Sequence, residues 1–345
     1  MKAVGIINDS LYDFVSGKIL FFSLQDFEQK IVKEARCFIC GADREEKEFN
    51  EEHIIPHWLL KRHNLFSSTI TLPNQTPFKY GSYTTPCCKE CNSFLGASIE
   101  VPVSDAFALG AEGFNKWVAD GNHMLLFIWM SLIFIKTHLK DLQLRMSRDL
   151  RLSAEKIGDN YYWETMHHIH CIARSLFTGA IIDTKVIGSL VVLPVKNDDM
   201  DFDYRDHFLS KTLMIKSNDI CIMTTLNDSC AGINVLWNLL MQISSPLNLF
   251  QYRELFAKFV DVNLILKNRP IYSSKFENNE YRIVAELPQK IALSQDTANY
   301  GEILFWALKD VMDENDPNFD YVKKHILEGV MSYLVDEKGQ FKPDI

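Results

Sequence analysis

Two Cys-x-x-Cys pairs, Cys37 with Cys40 and Cys88 with Cys91, stand 47 residues apart and bracket a stretch with few long apolar runs. Nothing else in the chain limits its folding as tightly. From Arg36 to about Asn92 the sequence is rich in Cys, His, Pro and polar loop residues. A segment so poor in core residues folds only with a staple. Each pair sets two thiolates on one side of a turn, about the separation tetrahedral Zn2+ requires, and two such knuckles complete a four-thiolate shell. Gly41, directly after the first pair, suits the tight turn. A closed shell leaves no open position, so this zinc is expected to be structural. Cys87 is an adjacent alternative to Cys88, and the spacing to Cys91 favours Cys88. Cys171, Cys221 and Cys230 are scattered singly and read as core residues.

Between the knuckles lies Glu51-Glu52-His53-Ile54-Ile55-Pro56-His57-Trp58-Leu59-Leu60, and Cys91 is followed at once by Asn92. A CxxC, an acid-His-x-x-Pro, a second CxxC and then Asn, in that order, resembles the motif of the HNH endonucleases. The resemblance covers about residues 37–100, and the run to Ile99-Glu100 is similar to the branch reading acid-His-x-x-Pro-x-Trp-Leu. It implies a zinc-braced ββα-metal module in which His53 is the general base. It also implies that Glu52 on a strand and Asn92 on a helix hold one catalytic divalent cation. Their oxygens are hard ligands, so Mg2+ or Mn2+ is the natural occupant. Phosphodiester hydrolysis needs a deprotonated water in line with the leaving oxygen and a cation to neutralise the developing charge. An imidazole with an ordinary pKa near 6.5 suits the first task close to neutral pH.

The implied activity is metal-dependent endonucleolytic cleavage of nucleic acid, DNA before RNA. Restriction, phage defence or a mobile element is the setting that analogy suggests. Two departures stand out. Tyr83 occupies the position, about five before the second CxxC, where the family carries an Asn that orients the base. Asn74, Asn64 or a backbone carbonyl are the alternative ways to hold the imidazole. Leu95 replaces a basic residue often found three after Asn92. The alternative readings are a non-catalytic zinc module that binds nucleic acid or protein, and an effector subunit activated by a partner or ligand.

Other clusters carry less. His57 follows His53 by four, but Pro56 interrupts the helix that would align them, so His57 is expected at the surface or against backbone. Lys61, Arg62 and His63 form a basic turn that either steers a phosphate backbone or is simply solvated. Within Met166 to Cys171, His167 and Cys171 share a helix face; aromatic neighbours make these packing histidines rather than metal ligands. Glu314, Asp316 and Asp320 read as a solvated acidic face, with phosphate mimicry or a partner contact as the other possibility.

At 345 residues the chain exceeds what one hydrophobic core usually serves. The expected layout is an N-terminal helix-bearing extension (1–35), the zinc module (36–104), a glycine-marked junction (105–121) and an α+β domain (122–345). Apolar periodicity predicts helices at 23–35, 122–151, 161–177, 235–243, 247–259, 300–312 and 321–335. Strands are expected at 186–195, 213–215, 220–225, 260–266 and 282–287. They do not alternate in a βαβ rhythm, so the fold class is α+β. The longest apolar run, Met124 to Ile135, has 12 residues and meets Lys136, His138, Lys140 and Asp141, which reads as a core helix rather than a membrane span. With no secretory pattern at the N-terminus, a cytoplasmic protein with reduced thiols is expected.

The net charge of -9 excludes a protein held on nucleic acid by bulk positive charge. From Lys33 to Asn92 there are eight basic and eight acidic residues, so the surplus lies elsewhere. A neutral module on an acidic body is expected to bind DNA weakly, its loading dependent on a partner, a ligand or a homodimer surface.

Overall fold

The computed structural model describes residues 3–197, 200–294 and 299–343. The chain divides into two compact units: Met1–Ala108 with Asp120–Val186 and Tyr272–Ala285, and Leu109–Ala119 with Ile187–Ile271 and Glu286–Ile345. Elements are numbered in chain order.

The first unit opens with an antiparallel meander, β1 (Val4–Ile7), β2 (Ser10–Asp13) and β3 (Lys18–Phe21). Ile7 faces Ser10 across a two-residue turn in which Asn8 and Asp9 have φ of 48° and 61°. That is the hairpin geometry Asn and Asp tolerate best. The sequence expectation had no strand here. The expected helix at 23–35 is present as α1 (Leu24–Asp26), capped by the Ser23 hydroxyl, running on as a π-wound turn Phe27–Lys33.

β4 (Phe49–His53) pairs antiparallel with β7 (Thr84–Cys88), Glu52 opposite Thr85 and His53 opposite Thr84. Between them lie α2 (His57–Arg62) and a small hairpin of β5 (Thr69–Thr71) and β6 (Pro77–Lys79). β7 runs directly into α3 (Lys89–Leu95), continued by a π-wound turn Gly96–Glu100 and by α4 (Val101–Phe107).

α6 (His123–Asp141) is the central helix of this unit, with every residue from Leu126 to Asp141 buried. α7 (His167–Ala173) packs against it. α8 (Ser175–Thr178) follows, and β8 (Ile181–Ile182) pairs parallel with β14 (Glu280–Glu286), which neighbours β13 (Ile271–Glu277). The helix expected over 122–151 stops at Asp141, and 161–177 breaks into a 3-10 turn, α7 and α8.

The second unit has α5 (Gly110–Trp117) and a four-stranded antiparallel sheet in the order β10-β11-β12-β9. The strands are β9 (Ser189–Pro194), β10 (Phe202–His207), β11 (Thr212–Ser217) and β12 (Ile220–Thr225), the last two buried throughout. Four helices complete it: α9 (Ala231–Leu240), α10 (Leu249–Ile265), α11 (Tyr300–Leu308) and α12 (Phe319–Leu327). The strand expected at 260–266 is a correction: residues 260–265 are the C-terminal part of α10, and only Leu266 is extended, in a single bridge to Leu293. Asn248 and Gln251 cap that helix reciprocally, and buried Tyr252, Leu255, Phe256, Phe259 and Val260 carry helical spacing through it.

The apolar run at 124–135 lies in α6 and is buried from Leu126 onward, as a core helix should be. The helical run Gly110–Asp141 is nonetheless long and apolar enough to cross a membrane by length and composition alone, with a mean hydropathy of 1.6 over its best 18 residues. That longer run is not one regular helix, because Gly121 sits at φ 104° and interrupts it. Residues 36–104 lie wholly in the first unit, whereas 122–345 contributes to both, since α6, α7 and β14 belong with the module that carries the cysteines.

Candidate metal centre and its surroundings

Cys37 and Cys40 lie on a turn where the Cys37 amide donates to the Ala42 carbonyl and the Gly41 amide to the Cys37 carbonyl. Gly41 has φ 81°, and a Cβ there would stand 2.6 Å from the Phe22 ring, so the turn requires glycine on both counts. Cys88 ends β7 and Cys91 lies in the first turn of α3. The four Sγ atoms are all within 4.8 Å of one another, and Cys40 to Cys88 is 3.7 Å. Tetrahedral zinc with Zn–S bonds near 2.3 Å needs S···S separations of about 3.8 Å. The donor set therefore fits zinc, and among the described residues it is the one cluster of three or more Cys, His, Asp or Glu so placed. Cys87 points into the same interior, its Sγ 3.8 Å from that of Cys37, but lies outside the set of four. Thiol–thiolate hydrogen bonding with Cys40, Cys87 and Cys91, against the opposing cost of burial, holds Cys37 far below its ordinary range. The same contact with Cys37 pushes Cys40 up to about 12. Such crowding asks for a cation.

α7 holds this turn from behind. The His170 Nε2–H donates to the Phe38 carbonyl at 2.7 Å, and Arg174 Nε to the Ile39 carbonyl at 2.6 Å. Arg174 also donates to Ile19 at 2.5 Å and lies over the Phe22 ring, so one fully buried guanidinium links the meander to the cysteine turn. The histidine cluster is structural: His167 binds the Phe22 carbonyl at 2.7 Å and His168 stacks on Tyr272 at 3.6 Å.

Glu52 and His53 are adjacent in β4 and lead to different neighbours. Glu52 is buried, and its Oε1 accepts from Lys136 Nζ of α6 at 2.7 Å. His53 is half-buried, its ring 5.5 Å from exposed His57 at the start of α2 and 6.3 Å from Phe66. Burial, and then the neighbouring His57, push the His53 pKa below its ordinary value, so the imidazole is neutral near pH 7. The Gly81 backbone opposes that shift. Asn74 is engaged elsewhere, donating to the Arg145 carbonyl and accepting from the Thr76 amide, and Asn64 is exposed. Tyr83 packs instead with Ile54, Leu72 and Ile157, and Leu95 is buried.

Asn92 donates to the Asn50 Oδ1 at 2.9 Å. Glu52 and Asn92 thus contact different partners, Lys136 through a carboxylate oxygen and Asn50 through the amide nitrogen. Lys61 and Arg62 are exposed at the end of α2, with Arg62 over the Trp58 ring and 3.4 Å from the Phe107 carbonyl; His63 caps the helix. Glu314, Asp316 and Asp320 are exposed. Lys136 escaped the sequence reading, which took it as the end of an apolar run. Its signal was its register: it lies between Leu132 and Leu139 on a face that stays apolar.

No family model matches this chain, and no curated protein or solved structure matches it significantly.

Proposed function

We propose that residues 37–100 form a zinc-braced HNH-type module that cleaves phosphodiester bonds in nucleic acid, DNA before RNA, with His53 as the general base. The observation that carries this reading is a half-buried imidazole at the end of a strand that pairs with the strand leading into the second cysteine pair. In this reading His53 takes the proton of a water attacking phosphorus. The exposed basic end of α2, Lys61 and Arg62 with His63, draws the phosphate backbone toward it. Zinc supplies only the frame. A divalent cation, where bound, would be held by Glu52 and Asn92 and would neutralise charge on the scissile phosphate, although Glu52 already faces Lys136.

The test is incubation of the full chain with plasmid and with DNA and RNA oligonucleotides, with and without Mg2+ or Mn2+, beside His53→Ala. Cleavage by the parent and a loss of about 100-fold or more in the variant is expected. Cleavage unchanged in His53→Ala would remove His53 from the chemistry. A second reading is favoured by the Glu52–Lys136 pair: a non-catalytic zinc module that binds nucleic acid or protein. It predicts binding with no cutting under any divalent ion.

A further inference from the structure

Lys136 is fully buried on α6, and its ammonium reaches three oxygens: Glu52 Oε1 at 2.7 Å, the His53 carbonyl at 2.7 Å and Glu100 Oε1 at 3.5 Å. Glu52 and His53 end β4, while Glu100 lies eight residues after Asn92 on the helical run that α3 begins. An ammonium here ties strand to helix, as a metal bridging Glu52 and Asn92 would. We propose that Lys136 is the built-in cation of this module, and that it excludes a divalent ion from Glu52 for as long as it stays in place. The choice of Glu52 and Asn92 as the comparison site rests on the HNH-type reading; the buried cluster itself does not.

The physical case is one of charge and space. A buried carboxylate needs a counter-charge, and the Glu52 side chain, 9% exposed, has one at hydrogen-bond distance. A second, doubly charged cation on the same carboxylate would face the ammonium in a poorly screening interior. The Lys136 side chain has no exposed surface, so the ammonium and not water faces the carboxylate.

The experiment is a Mn2+ titration of the zinc-loaded full chain, reading free Mn2+ by electron paramagnetic resonance. The proteins are the parent, Glu52→Gln, Lys136→Met and the double variant. The parent and Glu52→Gln should bind Mn2+ alike up to millimolar concentration. Lys136→Met, with Glu52 and Glu100 uncompensated, should gain one site at least tenfold tighter, lost again in the double variant. A stoichiometric Mn2+ site in the parent that Glu52→Gln abolishes would overturn the proposal, as would a folded Lys136→Met chain that gains no site. If Lys136→Met does not fold, the parent against Glu52→Gln still decides. Cutting is measured on the same samples. Absence of cutting without a Glu52-dependent site counts against the nuclease reading alone, whereas a Glu52-dependent Mn2+ site in the parent counts against this inference alone.

Discussion

Cys87 and Cys88 are adjacent and both buried, and each has a thiol neighbour from the first cysteine pair: Cys87 at 3.8 Å from Cys37, Cys88 at 3.7 Å from Cys40. Only Cys88 joins the set of four. Cys88→Ser should therefore drop zinc well below one equivalent per chain, while Cys87→Ser keeps it; elemental analysis of the purified variants reads the difference. Retention of zinc in Cys88→Ser with its loss in Cys87→Ser would exchange the two assignments. This ligand set was legible because CxxC spacing is local chemistry. The environment of Glu52 was not, since its partner Lys136 lies 84 residues away, and only the folded chain shows that the carboxylate is already engaged.

Among the elements, α7 shows how a histidine cluster can serve packing alone. His167 and His170 donate to carbonyls at 2.7 Å, and His168 lies flat on Tyr272. Burial pulls His168 down to about 3 and His170 well below its ordinary value. Unfolded histidines titrate near 6.5, so as pH falls below that value the unfolded chain takes up protons that the fold refuses. The stability these residues contribute is complete above pH 6.5. It should fall by roughly 1.4 kcal/mol per pH unit for each buried histidine, down to about pH 3 for His168. Thermal melts should show the midpoint dropping between pH 6.5 and 4, with a shallower slope in His168→Phe, which keeps the stack on Tyr272. A melting temperature flat across that range would contradict the burial. The packing role was readable from the aromatic neighbours; the carbonyls that receive the N–H groups were not.

Helix α10 shows the opposite limit. Val260, Val262, Leu264 and Leu266 alternate like a strand, yet the capped, apolar stretch that precedes them carries the helix as far as Ile265. A seven-residue window was too short to weigh that cooperative extension. The turn at Asn8-Asp9 was the reverse case. A hairpin signal stood in the sequence, and β1 and β2 formed on either side of it.

For the molecule as a whole, a linear reading of the chain conceals which parts belong together. Residues 272–285 return to the first unit, where Arg282 and Ile283 pair with Ile181 and Ile182, and residues 109–119 depart for the second. Pairings of such separation leave no trace in local periodicity, so the α+β character was legible and the division of the chain was not. What the first unit can do depends on the four-cysteine turn that braces it. Arg174 and His170 hold that turn only by its carbonyls, leaving its thiols to a metal. Zinc K-edge X-ray absorption on the protein as purified, scaled to protein concentration, tests this directly. The account predicts one zinc per chain with four sulfur neighbours at about 2.3 Å. A chain without stoichiometric metal, or a zinc with nitrogen or oxygen in place of any of the four sulfurs, would contradict it.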